Sequence, residues 1–215
     1  MARLRWNRSW AYAGVVAAVL LVPALHLSSV DVEDKTANEA AYLQHVDDRY
    51  WSISLAGGVG LVLTALLVVY LAGLRRIALD RRPLLADASI GIGGLAVLGL
   101  AVSCVSSMLA AGGAHEHFPF AAVRSMGMLG ENFFAVLLPP ALAGPAVLIS
   151  VLALRDKVLP RVLGYVAAFF ALVLVVLGVV LPGVGVIPAL VWLLISSLTL
   201  SLSPVVTVAE ERPGG

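Results

Sequence analysis

Charge is scarce in this sequence. Asp, Glu, Lys and Arg make up 13% of its 215 residues, against about 25% in a soluble domain, and none of them sits in the middle of a long apolar run. A proton-coupled carrier needs a titratable group at membrane depth, and a retinal protein needs an intramembrane lysine. Ion channels use rings of charge or a filter motif. The sequence offers none of these. Its single cysteine, Cys104, lies in an apolar run, which excludes an intramolecular disulfide and a C-x-x-C redox pair and leaves a packing role. G-x-S-x-G and S-x-x-K are missing, and with them the common serine-nucleophile arrangements. No basic tract carries interleaved aromatics, so nucleic acid is not an expected partner. No internal repeat marks out a carrier's symmetric halves.

What is present is apolar. Hydrophobic residues make up 60% of the chain and the mean hydropathy is +1.00. They gather in six runs, at about residues 11–30, 52–74, 88–111, 133–154, 162–181 and 186–206. Each is close to the roughly 20 residues that a helix needs to cross about 30 Å of hydrocarbon. A transmembrane barrel would show alternation in segments of about ten residues between turn signals, and this pattern is missing. Arg3, Arg5 and Arg8 ahead of the first run imitate a signal peptide. That run is longer than a signal core and further runs follow at once, so it reads as an uncleaved span. The expectation is an all-α polytopic transmembrane bundle with six spans and the lipid bilayer as its solvent. It forms one domain over residues 1–209, with a disordered tail at 210–215.

The basic residues set the expected orientation. With a cytoplasmic N-terminus, the inner segments hold Arg3, Arg5, Arg8, Arg75, Arg76, Arg81, Arg82, Arg155, Lys157, Arg161 and Arg212, eleven of the fourteen. Lys35, Arg49 and Arg124 are left outside. This bias places both termini in the cytoplasm under the positive-inside rule. It also places Asp31, Glu33, Asp34, Glu39, Asp47, Asp48, Glu116 and Glu131 outside, so that eight acids against three bases leave a formal outer charge of −5. Trp6, Trp10, Trp51, Tyr70 and Tyr165 fall at span ends, where amphipathic rings favour the headgroup layer. Twelve of the basic residues are Arg, which suits a GC-rich bacterial genome and a cytoplasmic (inner) membrane.

Two longer outer loops are expected, at residues 31–51 and 112–132, with a short third connection near 182–187. In the first, Thr36 and Glu39 fit a capping box, and Leu43, Val46 and Tyr50 recur on one face of a helix that lies across the bundle mouth. In the second, Pro119 suits a first helical position.

All four histidines fall at or near the outer face. His26, His45, His115 and His117, with Asp48 and Glu131, form a ligand set for a divalent metal, or for haem, gathered from the first span and both loops. His45 and Asp48 share a helix face, three residues apart. His26 lies inside the first span, one turn from its outer end, where an ionisable group invites a functional reading with Glu131 or Asp48 as partner. The same residues also fit solvated loop positions, or an exterior pH sensor that needs no metal. For His26, the carbonyl freed by Pro23 is a sufficient partner.

The fourth run carries LLPPALAGP, with Pro139, Pro140, Gly144 and Pro145 near its middle. Three missing donors predict a kink or an unwound stretch, and broken helices at the midplane are where transport sites are found. Small residues at Gly99, Ser103, Ser107 and Ala111, and at Ser54, Gly57 and Gly58, form stripes that let helices approach closely. GIGGLA at residues 91–96 matches a dinucleotide fingerprint in letters only, because no strand precedes it.

With these residues in place, the layout resembles a family of six-span bacterial membrane proteins, frequent in actinobacteria, grouped as a domain of unknown function. The resemblance runs from about residue 11 to 204. It is carried by Pro23 and His26, by Asp47 or Asp48 with Trp51, by Leu159, Pro160, Arg161, Leu163 and Gly164, and by Pro188 with Trp192, Leu193 and Leu194. It implies the six-helix fold and no activity.

Three functions fit this pattern. The first is a non-enzymatic accessory, sensory or assembly component, partnered by other membrane proteins or by further copies of itself. The second is a membrane enzyme or cofactor protein with the exterior metal or haem site. The third is a transporter of a neutral or lipid-like cargo through a broken fourth span. The ligand reading predicts that purified protein binds zinc or copper at micromolar concentration and that His45→Ala and His115→Ala lose this binding. Equilibrium dialysis with metal analysis checks it.

Overall fold

The computed structural model describes residues 9–28, 38–181 and 184–202, with the side chains of residues 25, 26 and 28 set aside. Thr36, the acids Asp31, Glu33 and Asp34, Pro182 and the tail at 210–215 lie outside the described residues, as does the side chain of His26. The described chain is all-helical, in the order α1 (Ser9–Ser28), α2 (Glu39–Asp48), α3 (Tyr50–Leu79), α4 (Pro83–His115), α5 (Phe120–Leu154), α6 (Arg161–Val180) and α7 (Val186–Leu202). Apolar sequence in a lipid solvent must satisfy every backbone group internally, and an α-helix does so within each segment. By length and composition α3, α4, α5 and α6 can each cross a membrane, while the apolar helices Ser9–Ala24 within α1 and Val186–Leu202 are shorter.

The six apolar helices close into a ring. α1 packs on α3, α3 on α4, α4 on α5 and α5 on α6, while α7 fits between α6 and α1 and also reaches α5. One apolar core runs through all six, from Trp10 and Leu21 of α1, through Leu63 and Leu74 of α3 and Leu148 and Leu152 of α5, to Trp192 of α7. α2 stands apart from this ring and rests on α4 and α5. The bundle therefore has an α2 end and an opposite end, where the turns at 80–82 and 155–160, with the helix ends beside them, carry seven of the nine described Lys and Arg side chains.

Close approach is set by small residues. Gly57 and Gly60 of α3 lie directly against Met108 and Cys104 of α4, and Gly130 of α5 against the Ser103 carbonyl of α4. The stripe expected on the third apolar run, now α4, is therefore a packing surface for α5, while Gly58 faces open space. Gly73 lies under the Trp10 indole, and Gly14 lies against Ser197 and Tyr70.

These last contacts correct a sequence expectation. Trp10 and Tyr70 do not face outward: they are 4% and 1% exposed, with ring centroids 6.1 Å apart. α3 continues to Leu79, which leaves Tyr70 about 13 Å inside the helix end at 1.5 Å per residue. Glycines on α1 and α3 make the space for both rings. The Tyr70 hydroxyl is satisfied by Ser196 Oγ at 2.9 Å, which in turn lies 3.2 Å from the Leu193 carbonyl. Trp51 and Tyr165 do face outward, at 73% and 67% exposure.

The proline-rich stretch is not unwound. α5 is helical from Phe120 to Leu154 with Pro139, Pro140 and Pro145 inside it. The prolines withdraw donors from the carbonyls of Ala135, Val136 and Ala141, yet the helix persists because neighbours clamp it. Pro139 and Pro140 pack against Gly178 and Gly185, and Pro145 against Gly93. α5 also begins thirteen residues before the expected span at 133, so most of the expected loop at 112–132 is helix. Adding a methyl at Gly73 forces it into Trp10, so Gly73→Ala is expected to cost about 1–3 kcal/mol. Gly91, with open space where a β-carbon would sit, tolerates Ala with a gain of up to about 1 kcal/mol in helix propensity. Thermal unfolding of both variants in detergent micelles checks the contrast.

Candidate functional site at the α2 end

α4 with 33 residues and α5 with 35 span about 50 Å each at 1.5 Å per residue, well beyond a hydrocarbon core of about 30 Å. Their joined ends form a platform. The turn between them is tight: Phe118 N–H donates to the Gly113 carbonyl at 2.7 Å and His117 N–H to the Ala114 carbonyl at 3.1 Å, the paired bonds of a Schellman close. His117 occupies its left-handed position, with φ 61°, where a glycine is the usual residue. Phe118 then covers Gly113.

α2 docks on this platform. Its N-terminus is capped by Asn38, whose Oδ1 accepts from Ala41 N–H at 2.8 Å, so the expected box from Thr36 gives way to a cap two residues later. Val46 is fully buried in a second cluster with Ile53 of α3, Ala110, Ala111 and Ala114 of α4, and Val123 of α5. Leu43, Tyr42 and Tyr50 pack around it, which matches the apolar spacing in the sequence. Tyr42 meets Phe120 edge-on at 5.4 Å, and the Arg124 guanidinium lies 5.5 Å above the same ring. Arg49 breaks α2 from α3 with φ −100° and ψ 7°. Its guanidinium donates to the Leu27 carbonyl near the end of α1 at 3.3 Å.

The polar side chains of the cap are partly gathered. His115 Nδ1 lies 2.9 Å from Asp47 Oδ1, and its ring stacks on Tyr50 at 4.7 Å with an 18° tilt. The pair is open to solvent, at 60% and 40% exposure, so its contribution to stability is about 0–1 kcal/mol. Sequence reasoning missed Asp47 as the partner, because the pairing depends on how α2 lies across α4. His45 is half-buried on α2, and its Nε2 is closed off from water with no hydrogen-bond partner among the described residues. Asp48, Glu116, His117 and Glu131 are exposed. Among the described residues, no three His, Cys, Asp or Glu side chains come close enough together to hold a metal ion.

In comparisons with known proteins, no family model, curated protein or solved structure matches this chain. Asn38 is the N-cap of α2 and Val46 is its one buried side chain. Asn38→Ala is expected to weaken α2 by about 1 kcal/mol, and Val46→Asp, which buries a charge, to release it from the platform. Amide exchange should quicken over residues 39–48 in both variants and stay unchanged in α3 to α7.

Proposed function

We propose that this chain is an integral protein of a bacterial cytoplasmic membrane that crosses it six times with both termini in the cytoplasm. In this reading it is a non-enzymatic accessory, sensory or assembly component and works through its outer cap. The observation that carries the proposal is the docked α2. A folded helix that turns Asp47 and Asp48 to solvent while it sits on the joined ends of α4 and α5 has the form of a surface for a partner. The six-span arrangement is supported by the contacts of α1 and α7. Gly14, near the start of α1, lies against Ser197, near the close of α7, so both helices have these ends at the basic end of the bundle. The filled packing around residues 139–145 supports placing transport behind this reading.

A second reading, an exterior metal or haem site, draws support from one atom. His45 Nε2 is a buried nitrogen with no hydrogen-bond partner among the described residues, and a polar atom left in that state costs about 1–3 kcal/mol. Metal analysis and a visible spectrum of purified protein separate the two readings. Stoichiometric metal or a haem band would replace the accessory role with the cofactor role. The topology is tested in intact cells. Tags at either terminus are expected to stay out of reach of added reagents, and a cysteine at His117 to be labelled. Labelling of either terminus from outside would overturn the arrangement.

A further inference from the structure

The basic end of the bundle is not balanced by its own acids. Arg82 is held by Asp156, with Nη2 at 2.8 Å and Nε at 3.2 and 3.3 Å from the two carboxylate oxygens. Arg75 is held by Asp87 at 2.8 Å. With these two pairs set aside, the described residues in the two turns and the helix ends beside them leave Arg76, Arg81, Arg155, Lys157 and Arg161 against the single acid Asp80. The turns lie side by side. The hydrogen bond from Arg82 pulls the Asp156 carboxyl below the usual carboxylate range, against the opposing effect of desolvation, and the charges of Arg82, Arg81 and Arg155 also lower it. Arg81 and Arg155 thus lie close to a carboxylate that is already engaged, and Lys157 and Arg161 follow within six residues of Arg155 along the chain.

Beside this rim begins an apolar lane that no other described helix covers. From Arg161 the side chains of Tyr165, Phe169, Leu172, Val176 and Val179 follow at helical spacing on one face of α6. Tyr165, Phe169 and Leu172 are each 62% exposed or more. The lane starts at the cations and descends into the depth of the bilayer.

We infer that this rim and lane form a binding site for an anionic phospholipid. Arg155, Lys157 and Arg161 contact the phosphate, and Tyr165, Phe169 and Leu172 support an acyl chain. Charge chooses the occupant. A second copy of the chain docked along α6 by two-fold symmetry would bring cations against cations, whereas a phosphodiester neutralises them. A zwitterionic lipid fits the lane equally well but brings its own cation to the rim. Asp156 acts as the keeper of the site, because it withholds Arg82 from the lipid. The inference rests on the chain lying in a bilayer and not on which way it faces.

The test uses the full-length protein in nanodiscs containing spin-labelled phosphatidylglycerol or phosphatidylcholine with matched acyl chains. The motionally restricted fraction of each is measured. Wild type should hold phosphatidylglycerol in preference, and raising salt from about 0.05 M to about 0.5 M should shrink that preference. Arg155→Gln, Lys157→Gln and Arg161→Gln together should reduce it by roughly fivefold per cation removed. Asp156→Asn, which releases Arg82, should increase it, a gain that a misfolded protein would not produce. Equal restriction of both lipids by inserted wild-type protein would overturn the site and leave the membrane reading intact. Failure to insert into nanodiscs at all would overturn both. A dimer cross-linked through α6 in the same particles would assign the lane to a second copy instead.

Discussion

The interaction on which the rest depends is backbone-to-backbone proximity bought by missing side chains. A lipid solvent gives apolar helices no reason to leave it for one another, so association must come from the dispersion gained when surfaces fit closely. Here the fit is made by glycine set against something bulky: Gly73 under Trp10, Gly60 beside Cys104, Gly178 and Gly185 against the two consecutive prolines. Each contact draws two helices together and fixes their rotation. The position of the polar groups at either end follows from that rotation, because His115 meets Asp47 only if α4 and α2 present the faces they do.

The same pairing explains how α5 stays helical. Proline in a helix interior normally costs about 3 kcal/mol or more, and α5 contains three. Their rings, which cannot extend the hydrogen-bond ladder, are the bulk that fills the notches opposite. A sequence feature that suggested a break is a packing device in the folded chain.

Much of this was legible in the residues, and the failures have identifiable causes. Length and hydropathy located every apolar helix, because a long run without charge has one stable form in lipid. The spacing of Leu43, Val46 and Tyr50 anticipated the face that α2 buries. Helix ends were harder. Phe120 to Asn132 is polar enough to read as loop, yet it is helix, since α4 and α2 give that stretch a surface to lie on. Trp10 and Tyr70 turn inward where an outward-facing ring was expected, because composition alone cannot tell that glycines one helix away leave room for two rings. Asn38 displaced Thr36 as the cap for a similar reason, since several residues near a helix start can do that work. The partnership of His115 with Asp47, 68 residues apart, carries no local signature.

The two ends of the bundle are built from different materials. Aromatic rings and a buried valine fasten the α2 end, and an ion pair between two turns fastens the other. α4 and α5 run from one end to the other as single helices, and α4 has no proline beyond its first residue to bend it. A push or twist delivered to α2 would therefore not fade midway down the bundle. It would reappear as a lever movement at the far turns, where Arg82 and Asp156 hold the ends of those two rods together.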